Sequence, residues 1–220
     1  MTLAASILSA DLADLANDVN AVLAAGIDTI HFDVMDMHYV PNLSFGPMVC
    51  RALRDAGITA TIDVHLMVES PQHLITPFAE AGADIISFHP DTVTDVAAVL
   101  AQIKENQMQA GLVFNPDQEL LIETDWLDQL DMILLMSVFP GFGGQSFMPS
   151  VLPKIQQTRQ FINASGRDII LAVDGGVKVD NIAQIAAAGA NYFVIGSGLF
   201  LTNDYRQRVL ELQQALSDVH

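Results

Sequence analysis

The sequence predicts a closed (β/α)8 barrel, the TIM-barrel architecture, and three observations carry that prediction. Similar tetrapeptides recur, "AGID" at 25–28, "AGIT" at 56–59, "AGAD" at 81–84 and "AGAN" at 188–191, each before a β-branched or aromatic run. Each reads as a helix closing on a C′ glycine and feeding a strand. From Gly26 to Gly189 the repeat advances six units at about 27 residues each, the length of a βα unit with short loops. Eight such units fill the 220 residues. Finally, strand-like apolar runs alternate with amphipathic helical patterns along the chain, which implies a parallel sheet, and eight repeats favour its closure. An open doubly wound sheet is the alternative. Residues 1–220 are expected to form one domain, because nothing in the composition forces a second.

The elements follow in order. "LAASIL" (3–8) is the first strand, and "DLADLANDVNAVLAA" (11–25) has the apolar spacing of the helix that Gly26 closes. "TIHFDV" (29–34) and "TIDVHLM" (61–67) are β-branched strands that carry polar residues at alternate positions. "DIISFH" (84–89), "AGLVF" (110–114) and "DMILLMSV" (131–138) are more continuously apolar, as strands covered on both faces should be. "DIILAV" (168–173) runs into a glycine pair. "NIAQIAAAG" (181–189) is the next helix, and "YFVIG" (192–196) the eighth strand. No linker or low-complexity tract interrupts the series.

Hydrophobic residues make up 51 % and charged ones 16 %, a globular composition with a large core. Acidic residues outnumber basic ones 26 to 9, for a formal charge of −17, which disfavours nucleic acid and anionic membranes as partners. The start "MTLAASILSADLADLA" has no basic leader, and no uncharged apolar run reaches about eighteen residues, so a cytoplasmic location is expected. Cys50 is the sole cysteine, which excludes an internal disulfide framework and a thiolate cluster and marks it as a small core residue.

A barrel of this kind places its chemistry at the carboxyl ends of the strands. In the second strand the side-chain period of two sets His31, Asp33 and Met35 on one face and Phe32 and Val34 on the other. The apolar pair suits the helix layer, so His31 and Asp33 face inward. His65 ends the neighbouring strand, about 4.8 Å away in the hydrogen-bonding direction. Asp174 ends the seventh strand. Two histidines and two aspartates suit Zn2+, Fe2+, Mn2+ or Co2+, and affinity order alone does not choose among them.

A lone strand histidine is more often a hydrogen-bonded core residue than a ligand, and it is the shared placement at strand ends that favours a site. Asp36, His38 and His89 are explained equally well by turn hydrogen bonding. Asp63 lies early on its strand, and His73 and His220 are expected in solvent. Gly175 and Gly176 after strand seven, with Gly196 and Ser197 after strand eight, occupy the two loops that commonly cradle a phosphate. "PGFGGQSF" (140–147) has three glycines in four residues and reads as a mobile lid. Met35, Met67 and Met136 suit either a pocket lining or the core.

Taken together, "SILSADL", "HFDVMDMHYVPN", "DVHLMV", "GLVFNP", "PGFGGQSF", "DGGVK" and the final "GS" resemble the ribulose-phosphate 3-epimerase family, from Ser6 to Phe200. The resemblance implies a ribulose-phosphate-binding barrel that interconverts D-ribulose 5-phosphate and D-xylulose 5-phosphate in the pentose phosphate pathway. It implies one divalent metal ion per subunit on His31, Asp33, His65 and Asp174. Asp33 and Asp174 would exchange the proton at C3 through an enediolate. Ser6, His65, Gly141, Phe142, Gly143, Gly144, Asp174, Gly175, Gly176, Gly196 and Ser197 match substrate-contact segments, and a homo-oligomer, dimer or hexamer, is implied. Ala5 stands where the family usually has proline, Phe139 where asparagine is common, and "GSGLF" replaces "GSAIF"; none of these removes a ligand or an acid/base residue. A non-catalytic sugar-phosphate-binding barrel and a 3-epimerase of a six-carbon ketose phosphate such as allulose 6-phosphate are the alternatives. Retention of both aspartates argues against the first, and the "DGG" and "GFGG" forms argue against the second.

Overall fold

The computed structural model describes residues 1–217 and 219; His220, expected in solvent, lies outside the described residues. Eight strands, β1 (Thr2–Ser6), β2 (Thr29–Met35), β3 (Thr61–Met67), β4 (Ile85–Phe88), β5 (Gln109–Phe114), β6 (Met132–Met136), β7 (Ile170–Asp174) and β8 (Tyr192–Ile195), close a barrel in sequence order. Every neighbouring pair is parallel, including β1 with β8, so the closed alternative is the one observed. Around it lie α1 (Leu15–Ala24), α2 (Pro47–Asp55), α3 (Ile75–Ala81), α4 (Val96–Glu105), α5 (Leu152–Ser165), α6 (Ile182–Ala187), the single turn α7 (Ser197–Phe200) and α8 (Tyr205–Ser217). No described helix is long and apolar enough to cross a membrane.

The recurring glycines end their helices as their spacing suggests. Gly26, Gly57, Gly82 and Gly189 all take positive φ, between +88° and +117°, a conformation that side chains with a Cβ resist. Two of these ends are braced from the preceding helix: Arg54 donates to Gly82 O at 3.0 and 2.8 Å, and Arg159 to Gly189 O at 2.8 Å. Cations at helix C-termini suit the partial negative charge there. Starts are marked too. Pro47 opens α2, and the Asp95 carboxylate accepts from the Ala98 N–H at the start of α4.

Strict alternation fails in one place. Between β5 and β6 there is no α-helix among the described residues, only a 3-10 turn at Thr124–Trp126. The segment carries Asp117, Glu119, Glu123, Asp125 and Asp128, and a helix would stack like charges such as Glu119 and Glu123 one turn apart. Leu120, Ile122, Trp126 and Leu127 still pack on the core without it. Lys154 from α5 donates to the carbonyls of Asn115 and Gln118, both at 2.6 Å, fixing the start of the segment.

Outward strand residues such as Phe32, Val34, Ile62, Val64, Phe88 and Leu135 form the large core shared with the helices, where Cys50 is also buried. Inward residues of the other parity fill the barrel with a smaller cluster that includes Ala4, Val113, Met132, Leu134, Ala172, Tyr192 and Val194. That inner parity also carries the ionisable side chains of β2 and β3.

Candidate active site

Four inward side chains converge at the carboxyl end of the barrel. His31 and Asp33 come from β2, His65 from β3 and Asp174 from the last position of β7. One ligand atom from each lies within 4.8 Å of all the others. Strand register explains the grouping, because Asp33 pairs with His65 across β2 and β3 while closure of the barrel turns β7 towards them. His31 Nε2 is 3.5 Å from Asp33 Oδ1 and 3.9 Å from Asp174 Oδ2. His65 Nδ1 is 3.4 and 3.7 Å from the same two oxygens.

The backs of the two imidazoles are held differently. His31 Nδ1 is 2.8 Å from Asp63 Oδ2, which also accepts from the Tyr192 hydroxyl at 2.8 Å. His65 Nε2 faces His89 Nε2 at 2.9 Å, and the His89 ring lies 4.7 Å from that of Tyr39. The forward nitrogens, His31 Nε2 and His65 Nδ1, are buried without a hydrogen-bond partner. Orphaned imidazole nitrogens aimed at two carboxylates are the donor set that a divalent cation requires, so these residues fit a metal.

Electrostatics separates the two aspartates. Burial alone would raise Asp33, yet the His31 and His65 imidazoles draw it far below the usual carboxylate range, and Ser6 Oγ donates to its Oδ2 at 2.5 Å. Asp174 is raised, first by burial and then by the charge of Asp33 beside it. His31 is held well above its ordinary value because Asp63 and Asp33 more than offset its burial. His65 is raised as well, with Asp174 and Asp33 outweighing burial. His89 moves the other way, lowered by burial and by His65.

A pocket opens over Asp33 and Asp174. Ser6, Gly141, Phe142, Gly143, Gly144, Gly175, Gly176, Gly196 and Ser197 all line it, as do Met35, Met67 and Met136. His31 and His65 are fully buried and do not line it. Among the described residues the Gly176 and Ser197 N–H groups donate to no protein acceptor, leaving them for an anion. Gly176 takes φ +65°, and a Cβ there would sit 2.2 Å from Phe147 N, so this turn admits only glycine. The 140–147 segment covers one side of the pocket. Asn42 Nδ2 donates to Gly141 O at 2.7 Å, and Gln145 Nε2 donates to the carbonyls of Phe139 and Phe142 at 2.7 and 2.9 Å.

Residues set aside in the sequence divide into two groups. Asp36 accepts the N–H groups of His38, Tyr39 and Glu69, a turn role, and His38 and His73 are exposed. Asp63 and His89, in contrast, are completely buried directly behind His31 and His65. The parity that Asp63 shares with His65 turns it to the barrel interior, but its contact with His31 follows from the β2–β3 register.

Fold and site together define a barrel enzyme in which a carboxylate pair and two imidazoles gather at the carboxyl ends of the strands, the end where barrels of this kind carry their chemistry. The family profile described as "Ribulose-phosphate 3 epimerase family" matches residues 2–200, and the chain belongs to that family. It is 59 % identical over 205 residues to the ribulose-phosphate 3-epimerase of Serratia marcescens, covering 93 % of this chain and 98 % of that one. The ribulose-phosphate 3-epimerase of Escherichia coli K12 is 55 % identical over 217 residues, 99 % of this chain and 96 % of the relative. Solved structures of low identity share the fold. KGPDC from Streptococcus mutans has a TM-score of 0.74 at 14 % identity, covering 99 % of this chain and 98 % of its own. For 3-hexulose-6-phosphate synthase from Salmonella typhimurium the TM-score is 0.70 at 16 % identity, with both chains fully covered.

Proposed function

We propose that this protein interconverts D-ribulose 5-phosphate and D-xylulose 5-phosphate, the substrate and product of the pentose-phosphate step for which its relatives are named. Inversion at a carbon beside a ketone removes a proton from one face and returns one to the other, through a planar enediolate. It therefore needs two acid/base groups flanking one pocket. The observation that carries this reading is the pair Asp33 and Asp174, which come from well-separated strands, β2 and β7, and both line one pocket at the carboxyl end of the barrel. Asp33, fixed by the Ser6 hydroxyl, serves as the acceptor from ribulose phosphate. Asp174 serves as the donor, with the roles exchanged in reverse, an assignment that rests on the motif resemblance.

His31, Asp33, His65 and Asp174 would hold one divalent ion, of the Zn2+, Fe2+, Mn2+ or Co2+ type. When bound, it supplies positive charge that offsets the two carboxylates and polarises the substrate ketone. Because the net charge of −17 does not attract a sugar phosphate, the amides at Gly176 and Ser197 anchor the phosphate group locally. Met35, Met67 and Met136 give the sugar an apolar wall, and the 140–147 segment keeps water out. The same reading makes residues 1–220 one catalytic domain of a cytoplasmic homo-oligomer, dimer or hexamer, and for these points it rests on the motif resemblance.

The test is solvent deuterium entry at C3. Protein incubated with D-ribulose 5-phosphate in D2O should incorporate deuterium while xylulose phosphate appears. No incorporation above the blank would make the protein a binder. A higher kcat/KM for allulose 6-phosphate than for ribulose 5-phosphate would move the activity to six-carbon ketoses.

A further inference from the structure

Behind His31 lies a buried chain of hydrogen bonds that the proposed proton transfers do not use. Asp63 pairs with His31 in the β2–β3 register, and one of its oxygens accepts from both His31 Nδ1 and the Tyr192 hydroxyl at 2.8 Å. Asp63 and His31 are completely buried and Tyr192 nearly so. Tyr192 belongs to β8, and to reach Asp63 on β3 its side chain crosses the barrel interior over β1 and β2. A buried carboxylate calls for donors, and Asp63 Oδ2 receives two from residues in fixed positions on strands, while Oδ1 has no hydrogen-bond partner.

The consequence falls on His31. An imidazole that donates from Nδ1 to a carboxylate carries its lone pair on Nε2, and Nε2 is the buried, unpartnered nitrogen aimed at Asp33 and Asp174. The support of His65 differs in kind, since His89 is a neutral ring and adds no negative charge. We infer that Asp63, itself steered by Tyr192, is a positioning residue that fixes His31 in the Nδ1–H tautomer and orientation and makes it the anchoring nitrogen donor for a divalent cation. This inference rests on the metal reading of the four-residue cluster. Carboxylates behind metal-binding imidazoles act in this way generally, and their loss weakens metal binding by about 10- to 100-fold.

The experiment measures Zn2+ affinity by chelator competition in the unsubstituted protein and in the Asp63→Asn and Tyr192→Phe variants, alongside the melting temperature of each metal-free protein. Asp63→Asn should bind Zn2+ about 10- to 100-fold more weakly, and Tyr192→Phe should show a smaller loss in the same direction, each compared at a temperature where the melting curve shows the metal-free variant still folded. Nitrogen-15 NMR of the Zn2+-loaded unsubstituted protein should show His31 protonated at Nδ1, a signature that a merely structural role does not require. That spectrum decides the matter even if Asp63→Asn does not fold. Zn2+ affinity unchanged in a folded Asp63→Asn variant, or a His31 proton on Nε2, overturns the positioning role and leaves the metal reading standing. Failure of the unsubstituted protein to bind Zn2+ overturns the metal reading and this inference with it.

Discussion

The two walls of the barrel interior are built from opposite materials. On β2 and β3 the inward positions are His31, Asp33, Met35, Asp63, His65 and Met67, so ionisable groups occupy the depth of the wall and methionines its rim. Across the axis, β5 to β8 offer Val113, Met132, Leu134, Met136, Ala172 and Val194, with Tyr192 low on that side and Asp174 at the end of β7. The backbone is the same repeating parallel ladder throughout. One wall derives its order from hydrogen bonds between charged or polar groups, which is costly unless every partner is in place. The other derives it from apolar burial. The difference separates a cluster of ionisable groups from apolar packing within one ring of strands, and Asp174 and Tyr192 are the points where they meet.

That division can be broken from either side. The largest effect should come from Asp33→Asn and Asp174→Asn, each removing one acid/base group without changing shape. Turnover in metal-loaded protein should fall by about 10² to 10⁴ while the fold persists. Near-normal steady-state rates in either folded variant would remove that residue from the proton transfers. On the apolar wall, Leu134→Ala should instead cost about 2–5 kcal/mol of stability and lower the melting temperature by several degrees. Metal affinity should hardly change. A loss of metal binding comparable to the loss of stability would show that the walls are not independent.

The smallest expected effect is a matter of pH. His31 and His65 are raised in the folded, metal-free protein, so the stability they contribute is present below the unfolded value near 6.5 and is lost as pH rises through the folded values. Melting temperatures of chelator-treated protein should therefore decline from about pH 6.5 to 8. His89, lowered in the fold, contributes its own slope only below that window, and Lys154, lowered to about 8 by burial, contributes with opposite sign only above it. With Zn2+ bound in place of protons the decline should flatten, because metal affinity grows as the imidazoles deprotonate. A metal-free melting temperature that rises across the window would refute the proposed charge pairing of this wall.

The polar wall was legible where alternation alone could reveal it. "HFDVM" shows His31 and Asp33 on one parity because Phe32 and Val34 so plainly belong to the other, and all eight strands were found within a few residues of their observed ends. Depth was not legible. Asp63 looked too early on its strand to matter, yet the register that pairs it with His31 is a relation between two strands, and no single strand encodes it. His89 was ambiguous for a similar reason: its position after β4 is that of a turn residue, and only its contact with His65 shows a buried role. The missing helix after β5 was obscured because a repeat of about 27 residues fits a helix or an acidic loop of the same length equally well.

Tyr192 lies in the apolar interior cluster with Ala4 and Val194, yet its hydroxyl ends on Asp63 of β3. One side chain therefore cross-braces the ring of strands through its lumen, as a spoke does a wheel.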